Sequence, residues 1–279
     1  MVIKAALKQT GLLLKKWNSI IALGILWGII LIVFFENERE FSGIDILEMY
    51  HPVNLLSISV DRTNWNANVL ILLSMIYPLL VVLPAGFSLA VEQQSGLDVF
   101  VSFRIGNKAY KESRYLAAFL TTFIVFTLPF IIELILNCAS FPMQATGTLS
   151  SESVYSERYL AWVNNYLFKD LYFYSRYLHG IFGIIMFGIF SGLLGTFTVA
   201  ISSLIRVKYK VVLFIPVYVL LYASQFINKY SEEINISWTR YAFILDDFKK
   251  SQTGWIVALV LLAVINFILL KISEKKDCL

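Results

Sequence analysis

Long apolar runs alternate with short charged segments along this chain. The runs cover Asn18–Phe35, Asn68–Ala90, Tyr115–Leu136, Tyr177–Ile205, Val211–Phe226 and Gly254–Leu270. Most approach or exceed the roughly 20 residues that carry a helix across a 30 Å hydrocarbon core. The fourth is long enough to tilt, and the fifth and sixth are short. In lipid every backbone group needs an internal partner, so such runs are helices or strands of a closed barrel. Barrel strands alternate apolar and polar positions over about ten residues, and none of these runs does. The pattern predicts an all-α polytopic bundle of six transmembrane helices, folded as a single domain over residues 1–279. The connectors divide into a cytoplasmic segment at 91–114 and outer loops at 138–176 and 227–253.

Composition agrees with a membrane protein. The chain is 58% hydrophobic and 15% charged, with mean hydropathy +0.71, against about a quarter charged for an average soluble domain. Six spans place both termini on one side, and Lys and Arg choose the side. Fourteen of the 23 basic residues, among them Lys4, Lys8, Lys16, Arg104, Lys108, Arg114, Lys210 and Lys271, fall in the short segments of one face. Thirteen of the 19 acidic residues, including Glu36, Glu38, Glu232 and Asp246, fall on the other. Both termini are therefore expected to be cytoplasmic, in a plasma membrane. The charge of +4 reads as membrane orientation, not as a nucleic-acid surface. Cys138 and Cys278 lie on opposite sides in this topology and cannot pair within one chain.

Several local patterns carry more than one reading. Residues 1–17 form an amphipathic interfacial helix, with Lys4, Lys8 and Lys15 on one side and Ile3, Ala6, Leu7, Leu13, Leu14 and Trp17 on the other. Such a helix lies among anionic headgroups of membrane lipid; the plainer reading is a basic flank. The first span, followed by bulky and acidic residues, does not read as a cleaved signal peptide. Pro78 and Pro84 remove backbone donors within the second span and shape either a kinked bundle or a substrate path. Gly188, Gly192 and Gly195 form a small-residue face for close helix packing, within this bundle or against a second copy.

Tyr155, Tyr159, Trp162 and Tyr166 share one helical face before the fourth span, as expected at a headgroup interface. Trp238, Tyr241, Phe243, Ile244 and Leu245 suggest a last outer loop that dips into the outer leaflet. Asn235-Ile236-Ser237 matches a glycosylation acceptor, a motif too short to weigh much. Glu133 is the acidic residue that lies clearly inside a span. An intramembrane carboxylate is a candidate for the substrate path, although a position within a turn of the outer end predicts contact with water.

Enzymatic motifs are missing. There is no G-x-x-x-x-G-K-[ST] phosphate loop, no H-E-x-x-H and no G-x-S-x-G. The two histidines, His51 and His179, are widely separated, and no metal spacing occurs. The expectation is a protein that is not an enzyme and binds no cofactor itself.

The inner segment is more organised than a simple connector. It reads Glu92-Gln93-Gln94-Ser95-Gly96, then a short apolar stretch, then Ser102-Phe103-Arg104-Ile105-Gly106-Asn107-Lys108-Ala109-Tyr110 and Arg114. Gly96 ends or turns the second span, and Gly106-Asn107 is a turn signal. A short helix exposing Leu97, Val101 and Phe103 to water leaves apolar surface that asks for a cover. This segment resembles the inner loop of type-2 ATP-binding-cassette exporter permeases. There an E-x-x-x-G motif ends the second span. A coupling helix follows, with Ser, an aliphatic residue, Tyr and a basic residue at the positions of Ser102, Ile105, Tyr110 and Arg114. Arg104 stands where that family usually has Pro, and Gly106-Asn107 replaces Ser-Arg.

The resemblance implies one half of an exporter's membrane domain, paired with a second permease copy or paralogue. Two separate ATPase subunits, holding ATP and Mg, dock beneath it. It implies an interface built from Glu92, Gly96, Leu97, Val101, Arg104 and Tyr110. The aromatic outer loops suit an amphipathic cargo, lipid-like or peptide, as in self-protection against an antimicrobial peptide. Two other classes stay open: a membrane sensor or assembly factor that transports nothing, and an ion-coupled carrier. The carrier would need several intramembrane charges and inverted repeats.

Overall fold

The computed structural model describes residues 2–44, 46, 49–59, 64–143, 166–205, 209–228, 238–245 and 251–276. Tyr155, Tyr159, Trp162, Asn235 and Cys278 lie outside the described residues. The structure is all-helical in class, with no strand among the described residues. In order, the helices are α1 (Val2–Leu14), α2 (Trp17–Phe41), α3 (Asn64–Val82), α4 (Ser88–Ser95), α5 (Leu97–Ile105) and α6 (Asn107–Ser140). They continue with α7 (Lys169–Tyr174), α8 (Arg176–Leu204), α9 (Phe214–Asn228), α10 (Trp238–Ala242) and α11 (Gln252–Lys276).

Four of these, α2, α6, α8 and α11, are long and apolar enough to cross a membrane. Two shorter apolar helical stretches, Asn68–Val82 and Lys210–Ala223, accompany them. At 1.5 Å per residue, the 34 residues of α6 extend about 51 Å, well beyond a hydrocarbon core. Its polar start at Asn107–Arg114 accounts for about 12 Å of that length.

Helix α6 is the axis of the molecule. It packs most extensively on α8, and also on α1, α2, α5 and α11. Gly188, Gly192 and Gly195 make the α6–α8 approach close. A Cβ on Gly192 would lie 2.8 Å from a ring carbon of Phe119, and one on Gly195 would collide with Thr122. The small-residue face is thus occupied within the chain. Aromatic rings fill the centre of the bundle. Tyr77 packs on Phe126, Phe187 and Phe243 at centroid distances of 5.7, 5.4 and 5.4 Å. Its hydroxyl meets Ser191 Oγ at 2.8 Å.

Three expectations need correction. The run Asn68–Ala90 is not one helix. It breaks at residues 83–87 around Pro84 and resumes as α4. Pro84 cannot donate to the helix ladder, and its own carbonyl accepts from Ser19 Oγ at 3.3 Å. Pro78 stays inside α3. The Ser74 carbonyl that its missing N–H would have bonded accepts from Tyr222 Oη instead, at 3.1 Å. Next, Tyr241–Leu245 does not reach toward lipid: each residue is buried against the core. Finally, α1 presents three faces rather than two. Ala6, Thr10 and Leu13 are buried, while Ile3 and Leu7 remain exposed on a stripe beside the lysines.

Candidate functional site

The inner segment folds as a hook. Helix α4 ends where Gly96 turns left-handed, at φ 71°, and its N–H returns to the α4 carbonyls of Gln93 and Glu92. Helix α5 runs nine residues to Gly106, which has φ 84°. Both angles lie in the region that glycine enters without the strain a Cβ would bring. Two chain reversals in quick succession lay α5 beside the start of α6.

The hook brings three of the family-like positions together. Tyr110 Oη donates to Glu92 Oε2 at 2.7 Å. Arg114 forms an ion pair with Glu92 Oε1, and its guanidinium lies 6.0 Å from the centre of the Tyr110 ring. Tyr110 and Arg114 are buried, so the carboxylate is clamped by a phenol and a guanidinium away from bulk water. Such charge-assisted bonds are the strong ones. One turn along, buried Lys111 donates through Nζ to the Ser273 carbonyl of α11 at 2.5 Å. The clamp therefore ties α4 to α6, and Lys111 ties α6 to α11.

Helix α5 itself has no fully buried residue. Its outer side carries Phe103 at 86% exposure, Phe100 at 71% and Leu97 at 53%, with Val99 and exposed Arg104 beside them. Val101 and Ile105 turn inward and pack on a small cluster that includes Leu13, Leu89 and Tyr115. The expected interface residues thus separate by role. Leu97 and Arg104 face outward, Val101 supports the helix from beneath, and Glu92 and Tyr110 are internal. Phe100, which the sequence reading passed over, belongs to the outward face. A cavity of about 620 Å³ opens under the hook, lined by residues that include Gln93, Asp98, Ser102, Phe103, Asn107 and Lys111.

A second polar assembly lies at the far end of the bundle. Residues 50–59 join α2 to α3 without forming a helix, yet nearly all are buried. Polar side chains from two helices satisfy their backbone. Asn37 of α2 donates to the Leu55 carbonyl at 3.2 Å, and Asn137 of α6 donates to the Pro52 carbonyl at 3.3 Å. Glu133 Oε1 accepts from the Ser57 N–H at 2.7 Å and from Ser57 Oγ at 2.5 Å. Glu133 is wholly inaccessible, so the expected contact with water is absent. Arg176 sits over the Tyr172 ring.

The site residues named from sequence therefore fall into three places. Glu92, Gly96, Leu97, Val101, Arg104 and Tyr110 make the hook. Gly188, Gly192 and Gly195 line the α6–α8 seam. Glu133 holds the 50–59 segment, while Pro78 and Pro84 shape α3 and its break. The 50–59 segment gave one signal in the sequence, an apolar content high for a connector, in Val53, Leu55, Leu56 and Ile58. Among the described residues no cluster of three or more His, Cys, Asp or Glu side chains could hold a metal ion. No family model, curated protein or solved structure matches the chain.

Proposed function

We propose that the chain is the membrane-spanning permease subunit of an exporter driven by separate ATPase subunits, with α5 as the coupling helix. The observation that carries this reading is the outward apolar face of α5: Leu97, Val99, Phe100 and Phe103, presented between two left-handed glycines. Apolar side chains presented in this way mark an interaction surface, and the flanking charges of Lys108 and Arg104 make bilayer burial of the whole hook costly. The Glu92–Tyr110–Arg114 clamp gives the arm a fixed base. The cavity beneath gives it room to move. A coupling element needs two positions that a partner distinguishes, and a helix pinned at two glycines over a cavity meets that need.

The reading includes six spans, with α3 and α9 as the two short ones, and both termini in the cytoplasm of a bacterial cell. Helix α1 lies in the inner headgroup layer, its lysines toward anionic lipid and Ile3 and Leu7 toward acyl chains. A second permease, identical or paralogous, completes the pathway. The cargo is amphipathic, of lipid or peptide type.

The test is co-purification in mild detergent of the tagged wild type and of Phe103→Asp. Phe103 touches little of its own chain, so the variant keeps the wild-type unfolding midpoint. An ATPase subunit recovered with the wild type and lost with Phe103→Asp supports the reading. Equal recovery with both, or no ATPase with a folded wild type, overturns it.

A further inference from the structure

Among the described residues, two acceptors around Glu133 have no donor. Glu133 Oε2 and Asn137 Oδ1 are both buried and unpartnered. The two residues are four apart on α6, hence neighbours on one helix face. Their other atoms are engaged with the 50–59 segment, Oε1 with Ser57 and Nδ2 with Pro52. A buried acceptor left bare carries a desolvation cost. One proton resolves both: placed on Glu133 Oε2, it donates to Asn137 Oδ1.

Charge points the same way. Among the described residues no cation pairs with Glu133, whose partners are the Ser57 N–H and hydroxyl. The titratable groups at this end are engaged elsewhere. His51 Nδ1 accepts from the Val53 N–H, and its ring lies against Tyr177. His179 Nε2 meets the Leu167 carbonyl at 2.9 Å. Arg176 covers Tyr172, and Tyr177 donates to the Met143 carbonyl. Cys138, the next residue after Asn137, is partly exposed. An unpaired carboxylate in a low-dielectric core is costly, whereas a carboxylic acid is not.

We infer that Glu133 is a proton-binding site: in this conformation it carries a proton, donates it to Asn137 Oδ1, and as a neutral pair with Asn137 latches the 50–59 segment into the bundle. Loss of that proton leaves an uncompensated charge in a low-dielectric core; the Ser57 donors hold a carboxylate more tightly than an acid, so the charge is relieved by water reaching it as the segment lifts. The latch makes the segment a proton-sensitive gate at this end of the molecule. The inference rests on the local geometry and does not depend on the identity of the energising partner.

Infrared difference spectroscopy on the full chain in lipid nanodiscs tests it directly. Wild type minus Glu133→Gln at neutral pH shows a protonated-carboxyl carbonyl band that disappears at alkaline pH. Asn137→Leu moves that band to higher frequency, because the proton loses its acceptor. A missing band, or one that Asn137→Leu does not move, overturns the assignment. Gate behaviour is read by labelling Ile58→Cys, in a Cys138→Ser, Cys278→Ser background, with a water-soluble maleimide. Rates are normalised to free glutathione at each pH. Labelling speeds up about tenfold as Glu133 deprotonates. Added Glu133→Gln, which keeps both a donor and an acceptor, holds it slow throughout. A pH-dependent rise in the Glu133→Gln background overturns the gate.

Discussion

The clamp at the base of the hook sets a measurable penalty. In Arg114→Met the ion pair with Glu92 is lost while the aliphatic volume is roughly kept. Arg114 and Glu92 are 6% and 15% exposed in their side chains, so the orphaned carboxylate retains only the Tyr110 hydroxyl and a sliver of water. Breaking one partner of a buried pair costs about 3–5 kcal/mol. The partial exposure of Glu92 places the expected loss at the lower end, about 3 kcal/mol. Glu92→Gln removes the charge from the other side and leaves Arg114 buried and unpaired, with a similar cost. The double variant removes both charges and recovers much of the loss, so the cycle gives a coupling energy above about 1 kcal/mol. Denaturant unfolding in mixed micelles, followed by tryptophan fluorescence, measures all four proteins. Strict additivity of the two single losses would refute the clamp, because it would mean the two charges do not sense each other.

Two further outcomes follow from particular contacts. Tyr222→Phe leaves the Ser74 carbonyl without its donor and costs about 1 kcal/mol, whereas the same change in a Pro78→Ala background costs less, because the backbone bond returns; equal costs in both backgrounds would detach Tyr222 from the proline. His51, outside the membrane-spanning helices, is pushed down to about 4 by burial and by Arg176. It is neutral in the fold, so the unfolded chain binds a proton that the folded chain refuses. Its contribution is complete above the ordinary histidine range and is lost as pH falls from about 6.5 toward about 4. His51→Asn, which keeps an acceptor for Val53, flattens that part of the stability–pH curve; an unchanged slope would exclude His51 as its source.

The helices were legible because apolar runs and helix-breaking residues are local. Gly96 and Gly106 announced two reversals, and the spacing of Glu92, Tyr110 and Arg114 made sense once α4 and α6 were folded back on each other. What α5 shows to the outside was not legible. A reversal at Gly96 resets the helical phase, so Val101, expected outward, turns inward, and Phe100 joins the outward face. The break at Pro84 was visible as a kink and not as an end, because the donor that meets the Pro84 carbonyl is Ser19, 65 residues away. The buried 50–59 segment was hidden for a related reason. Its partners, Glu133 and Asn137, lie 76 and 85 residues away, and nothing near Ser57 or Pro52 foretells them.

Helix α6 also contains Pro129, one turn before Glu133. A proline inside a helix removes a ladder bond and lowers the stiffness of the rod at that turn. Arg114 lies on one side of this notch, while Glu133 and Asn137 share the short length beyond it. Bending there swings the two latch residues as one body, while the hook end keeps its place. Ser57 and Pro52 would then lose their α6 partners in the same stroke, while Asn37 of α2 keeps the Leu55 carbonyl, so the segment would swing about Leu55 and stay tethered.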